Sequence, residues 1–166
     1  MILRPATLSD LALLQHWDEQ PHVVAADPSD DWDWESELVR QPKWREQLIG
    51  EENGRPIGMV QIIDPAHEET HYWGTGIASG FRAIDIWIGA ANDLGRGLGT
   101  AMMQLALQRC FAATEVTAVW VDPLATNPRA HRFYRRFGFK QKECRQFGED
   151  ECLIFELGRP DWEAKS

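Results

Sequence analysis

Apolar positions recur along this chain at two spacings, and the alternation between them lays out its elements. Ile2–Arg4 is a short apolar run that predicts a strand. Thr7-Leu8-Ser9-Asp10 then opens a helix, which Leu11, Leu14 and Trp17 continue at intervals of three. From Asp27 to Glu37 the pattern breaks into an acidic stretch with Asp30, Asp31, Asp33, Glu35 and Glu37. It reads as a solvated loop leading into a helix over Glu35–Arg40. Gln47–Glu51 and Pro56–Ile63 flank Glu52-Asn53-Gly54-Arg55. Asn-Gly between two such runs predicts a hairpin, because both residues tolerate the positive φ of its tight turn.

A polar loop, Asp64 to Gly80, leads to Phe81–Ile88, which alternates as a strand does. Ile84, Ile86 and Ile88 share one face, and Ala83, Asp85 and Trp87 the other. Gly97–Ala112 predicts a helix with Leu98, Met102, Leu105, Ala106 and Cys110 along its stripe. Val116–Val121 is a strand ending at Asp122-Pro123, and Pro128–Phe137 a second helix stopped by Gly138. Apolar patches near Phe139 and over Cys152–Leu157 suggest a final antiparallel pair. No repeat or linker interrupts the order. The expectation is a single domain over residues 1–166, of the α+β (mixed α/β) class, around one sheet.

Composition narrows the function. The chain has 166 residues, 43% hydrophobic and 26% charged, which suits a packed domain rather than a disordered one. Asp and Glu outnumber Lys and Arg by 26 to 17, a formal charge of −9. That balance argues against a nucleic-acid partner and suits a cationic ligand, although a solvated acidic surface would produce it too. Eight Trp residues exceed what the core periodicity uses, and the excess suggests a ligand platform. Three cysteines without C-x-x-C spacing make a disulfide framework or a tetra-Cys metal site unexpected. No signal-like or membrane-spanning apolar run is visible, so the expected setting is the cytoplasm, away from membranes.

The chemistry-bearing segments each have a plainer reading. Gly95-Arg96-Gly97-Leu98-Gly99-Thr100 lies between a strand and a helix, where close backbone approach and free N–H groups can hold a pyrophosphate. A tight turn without a ligand has the same composition. His67-Glu68-Glu69-Thr70-His71 matches H-E-x-x-H but has no helical stripe around it, so no metal site is expected. Asp85 interrupts an apolar strand, where an unpaired carboxylate is costly. Asp122 ends the next core strand, as an Asp-Pro turn also would. Were the two strands neighbours, both carboxylates could reach one cleft. Tyr134 shares a helix face with Ala130, Phe133 and Phe137 and reads as a core aromatic whose hydroxyl could serve as an acid.

The order of these elements, with Leu94-Gly-Arg-Gly-Leu-Gly-Thr100 and Asp122-Pro…Asn127…Tyr134…Gly138-Phe139, resembles the GCN5-related N-acetyltransferases (GNAT). Within them it is most similar to the aminoglycoside 6′-N-acetyltransferases, through Gly80-Phe-Arg-Ala-Ile-Asp85 and the segments just quoted. The resemblance implies a mostly antiparallel central sheet flanked by helices, and acetyl-CoA as co-substrate with no metal. It implies that the amides of Gly95, Arg96, Gly97, Leu98, Gly99 and Thr100 hold the pyrophosphate. Backbone groups of Ile86, Trp87 and Ile88 would pair with the pantetheine arm, and Asn127 would touch it. Asp85 and Asp122 would engage the amine, beside Tyr72 and Trp73, and Tyr134 would protonate the departing thiolate. Leu94 stands where the family usually carries Gln or Arg, which removes one side-chain contact to the cofactor.

The activity so implied is direct acetyl transfer to a primary amine of a cationic small molecule, by a monomer or homodimer. The expected acceptor is the 6′-amino group of an aminoglycoside, linking the protein to antibiotic resistance. The alternatives are a siderophore precursor such as an N-hydroxylysine, or a module that binds acetyl-CoA or a cation without catalysis. The acidic segment at Asp27–Glu37 and Glu149-Asp150-Glu151 are looser candidates for substrate contact.

Overall fold

In the computed structural model, which describes residues 1–166, seven strands form one sheet in the order β1-β2-β3-β4-β5-β7-β6. They are β1 (Ile2–Pro5), β2 (Arg45–Glu52), β3 (Arg55–Ile63), β4 (Phe81–Ile88), β5 (Ala118–Val121), β6 (Lys140–Phe147) and β7 (Asp150–Gly158). Every neighbouring pair is antiparallel except β4 and β5. The β2–β3 hairpin turns on Asn53 and Gly54, whose φ values of 52° and 77° are the positive pair such a turn requires.

The parallel pair shapes the site. β4 and β5 are in register only at Phe81–Ala118, Arg82–Val119 and Ala83–Trp120, after which they diverge. The rest of β4 therefore has a partner on its β3 side and none on its β5 side. Backbone polar groups alternate sides along a strand. Gly80 accepts from Thr117 next to β5, and the Gly89 amide donates to Ile57 on β3. By that alternation Ile86 and Ile88 turn their amides and carbonyls into the gap, while Trp87 turns its own toward β3.

Helix α4 (Leu98–Ala112) covers one face of the sheet, with Met102, Met103, Ala106 and Leu107 fully buried against Leu48, Val60 and Ile84. Its stripe is wider than the spacing suggested, because Met103 and Leu107 join it while Leu105 stays at the margin. α5 (Pro128–Phe137) is capped by Asn127, whose side-chain oxygen accepts from the Ala130 amide at 3.1 Å. A short α6 (Arg159–Glu163) follows β7, and Arg159 bonds the carbonyls of Phe111, Ala113 and Val116 behind α4.

Three short helices pack on the opposite face: α1 (Leu11–Asp18), α2 (Pro21–Ala26) and α3 (Trp34–Arg40). Leu14, Trp17, Trp34 and Leu38 form a second core there with Ile49 and Met59. The acidic stretch is thus not wholly a solvated loop. It begins at the end of α2, and Trp34, buried in that core, starts α3 one residue before the expected helix.

On this second face the sheet carries side chains in cross-strand rows. Ile49, Met59 and Trp87 make an apolar row, and Gln47, Gln61 and Asp85 a polar one beside it. Beyond lies a small cluster of Trp73, Ala83 and Ile154. No helix is long and apolar enough to cross a membrane.

Candidate functional site

A cavity of about 370 Å³ opens over the polar row, where β4 and β5 separate. Continuing the parallel register by two residues would set Asp85 against Asp122, and both line this cavity. Asp27, Asp30 and Asp150 face it as well. Its only Lys or Arg is Arg45, whose guanidinium is already engaged by Glu37 at 2.5 Å. An unneutralised acidic wall of this kind selects for cations.

The carboxyls share that environment. Burial, then the charges of Asp122 and Asp30, push Asp85 well above the usual carboxylate range. Burial also lifts Asp122 to about 6, against the hydrogen bond from Tyr72 that lowers it. Asp27 is raised by burial, by a hydrogen bond with Asp30 and by the charges around it. Without a cation these carboxyls hold protons that isolated carboxyls would lose near pH 4.

Aromatic side chains form the walls. The Tyr72 hydroxyl donates to Asp122 Oδ2 at 2.5 Å, and its ring stacks on Phe147 at 4.4 Å. Trp73, only 4% exposed, packs edge-on against Tyr72 and leans on Trp120. Across the cleft Trp32 stacks on Trp87 at 5.1 Å. Trp32, Trp44, Trp73 and Trp87 face the cavity, whereas Trp17 and Trp34 belong to the core under α1 and α3. Tyr134 is buried in the main core yet reaches the cavity, and its hydroxyl bonds no group in the protein. Burial and the nearby charges of Asp85 and Asp122 raise its proton affinity.

His67-Glu68-Glu69-Thr70-His71 runs through turns, so its two imidazoles do not project from one helix face as zinc ligands would. Glu68 has a structural task instead. Burial would raise its carboxyl, but bonds from the Thr70 hydroxyl and the amides of Tyr72 and Thr70 prevail and hold it low. Those bonds set the turn that presents Tyr72 and Trp73.

The glycine segment lies at the head of α4. Gly95 and Gly97 have φ of 73° and 77°, and a Cβ added at either would meet open space. Gly97 is the N-cap, and the first N–H groups of α4, from Leu98 to Thr100, have no partner within the helix. Arg96 does not project freely; it bonds Asp93 Oδ1 at 2.8 Å, beside the Arg55 fork on the same carboxylate at 2.7 and 3.0 Å. Asp93 thus ties the hairpin turn to this loop.

Two expectations need correction. Trp87 does not offer its backbone to the gap, because strand alternation turns those groups to β3; its indole faces the cavity instead. The Ile88 carbonyl does face the gap but is already taken by His22 Nε2 of α2, at 2.7 Å. Ile86 and the Ile88 amide remain free there. Asn127 lines the cavity, but its oxygen is spent on capping α5, leaving only its NH2 to donate.

A splayed parallel pair, an unpartnered helix head and an acidic cleft now stand together. Residues 6–147 match the acetyltransferase (GNAT) domain family model. The chain is a GNAT acetyltransferase. An aminoglycoside N(6′)-acetyltransferase type 1 of Klebsiella pneumoniae is 30% identical over 155 residues, 84% of this chain and 74% of that protein. A lysine N-acyltransferase, MbtK, of Mycolicibacterium paratuberculosis is 27% identical over 90% of this chain and 67% of its own length. Among solved structures, an aminoglycoside acetyltransferase AAC(6′)-Ib in complex with coenzyme A and kanamycin superposes with a TM-score of 0.82. It is 27% identical, and the match covers 99% of this chain and 98% of that one. This acetyltransferase uses acetyl-CoA as its co-substrate.

The residues present fit that co-substrate. The open glycine turn and free α4 amides suit its phosphates, and the unpaired edge at Ile86 suits an extended amide arm. The sequence had not singled out Gln61, which lies at the centre of the polar row. A glutamine inside the run Ile57-Gly-Met-Val-Gln-Ile-Ile63 was the available signal.

Proposed function

We propose that this acetyltransferase transfers the acetyl group of acetyl-CoA to the 6′-amine of an aminoglycoside, in the cytoplasm where acetyl-CoA is made. The observation that carries the reading is the meeting of the acidic cavity wall at Asp85 and Asp122 with the free backbone edge of Ile86. The kinship with aminoglycoside 6′-N-acetyltransferases supports the choice of acceptor.

Acetyl-CoA supplies an acetyl group activated as a thioester. Gly95 to Thr100 would hold its pyrophosphate by backbone amides, Ile86 and the Ile88 amide its pantetheine arm, and the Asn127 NH2 would donate to that arm. The Ile86 or Ile88 N–H is placed to polarise the acetyl carbonyl. Asp85 and Asp122 draw the ammonium into the cleft beside Tyr72 and Trp73. One of them, directly or through water, takes the proton the amine must lose before it attacks. The new C–N bond forms as the C–S bond breaks, and Tyr134 donates its proton to the departing sulfur.

The test is CoA release with kanamycin or tobramycin as acceptor, against a derivative lacking the 6′-amine. Turnover that vanishes with the derivative supports both the reaction and its position. The rival acceptor is a siderophore precursor such as N6-hydroxylysine, and the kinship with a lysine N-acyltransferase favours a lysine-type amine among the alternatives. Turnover with that compound alone would replace the aminoglycoside reading.

A further inference from the structure

The amide of Gln61 is a polar group at the floor of the cleft that the mechanism leaves unused. Gln61 is 1% exposed, the most deeply buried polar side chain in the sheet. It sits between Gln47 on β2 and Asp85 on β4, each its direct cross-strand partner. Directly opposed Cβ atoms lie about 5 Å apart, which puts Gln61 beside Asp85 on the cavity floor. On the other flank Gln47 Nε2 donates to Gln61 Oε1 at 3.1 Å.

That bond leaves the Gln61 NH2 without a partner in the protein, on a residue that lines the cavity. The charge beside it selects this orientation. Once a bound ammonium has made the Asp85 carboxyl charged, a reversed pair of amides would set the Gln61 oxygen on the side of that carboxylate, acceptor against acceptor. The donor opens onto the cavity rather than being sealed in, so the partner it lacks in the protein comes from whatever fills the cleft, water or a ligand atom. Asp85 already demands a cation; Gln61 asks for an uncharged acceptor oxygen within a few ångströms of it.

We infer that Gln61 is a specificity residue that donates to an ether or hydroxyl oxygen of the acceptor, next to the amine held at Asp85. The proposal rests on the aminoglycoside reading and deepens it. Ring and hydroxyl oxygens flank the amines of an amino sugar, whereas a plain alkyl polyamine offers only cations. The Gln47–Gln61 pair would then distinguish acceptors that the acidic wall attracts equally.

The experiment measures steady-state kinetics with kanamycin for the wild-type chain, Gln61→Met and Gln47→Leu. Gln61→Met keeps the volume and removes the donor. Gln47→Leu frees the Gln61 amide to rotate without touching the cleft. The expected result is a rise in the kanamycin KM of about ten- to hundredfold for Gln61→Met. The Gln47→Leu variant should show a smaller rise in the same direction. The KM for acetyl-CoA, the acidic limb of the pH profile and the melting temperature should stay at wild-type values.

A Gln61→Met enzyme with unchanged kanamycin KM overturns the inference and leaves the aminoglycoside reading standing. A shifted acidic limb also overturns it, because Gln61 would then act on the Asp85 proton rather than on an acceptor oxygen. A wild-type chain that acetylates no aminoglycoside overturns both readings together.

Discussion

The Tyr72 hydroxyl holds Asp122 by a 2.5 Å hydrogen bond, from a ring stacked within 4° of parallel on Phe147. One end of the tyrosine is fixed by packing and the other by the carboxylate, although the residue is 47% exposed. The bond favours the charged form of Asp122. Tyr72→Phe should therefore shift the acidic limb of kcat/KM for kanamycin upward by about one pH unit. A pH–rate series on both proteins measures this, and an unmoved limb would show that another group titrates.

Asp122 itself links activity to stability with opposite signs. Burial raises its carboxyl from 3.8 to about 6 in the fold. The folded chain therefore binds this proton more tightly than the unfolded one. The stabilisation is complete below the unfolded value and is lost as pH rises through the folded one. A shift of roughly two units corresponds to about 3 kcal/mol at pH 8. Asp122→Asn should gain stability of up to that order at pH 8 and little at pH 4, while kcat falls about a hundredfold or more. Urea unfolding at both pH values and a CoA-release assay test the two halves separately.

Asp27, Asp85 and Asp122 all hold protons more tightly than free carboxyls do. A polycation entering among them stabilises their charged forms and lowers those affinities. Kanamycin binding at pH 6.5 should release about one proton. Calorimetry in two buffers of different ionisation enthalpy reads that number directly, and proton uptake would contradict the expectation.

Tyr134 offers a cleaner separation, because its hydroxyl has no partner in the protein to leave unsatisfied. Tyr134→Phe should melt within about 0.5 kcal/mol of the wild type. Its kcat should fall by about a hundredfold with the KM for acetyl-CoA unchanged. An unchanged kcat would remove the residue from thiolate protonation.

At Gly97 the backbone conformation carries the function. With φ at 77° and open space where a Cβ would point, alanine costs about 1–2 kcal/mol through the left-handed conformation alone. The same strain would tilt the first amides of α4. Gly97→Ala should lower the melting temperature modestly and raise the KM for acetyl-CoA, leaving the KM for kanamycin in place.

Local signals were legible wherever one residue type has few uses. Asn53-Gly54 marked its turn, and Phe81–Ile88 began and ended where its alternation did. The helix after Gly97 started at the glycine that caps it. α2 escaped notice because six residues are too few for a helical period to stand out; Val23 is buried and His22 is tied to Ile88. β6 has almost no apolar pattern, since at the sheet edge most of its side chains are exposed. Asp27 and Asp30 lay inside an acidic run whose members look alike until the end of α2 and the turn after it set these two at the cleft.

By itself the sequence determined most of the strands and the longer helices, their order along the chain, and that a carboxylate interrupts β4 at Asp85. Propensity, periodicity and turn chemistry act over a few residues, so they can be read from neighbours along the chain. Only the tertiary structure decided that Asp85 faces Asp122 across a gap and that Tyr72 reaches over to hold the second carboxylate. It alone turned Trp87's backbone away from the gap and left Gln61 with a free donor at its floor. Those relations depend on where two parallel strands stop pairing and on which residues lie opposite across separate strands. Register of that kind is set by the packing of the whole sheet.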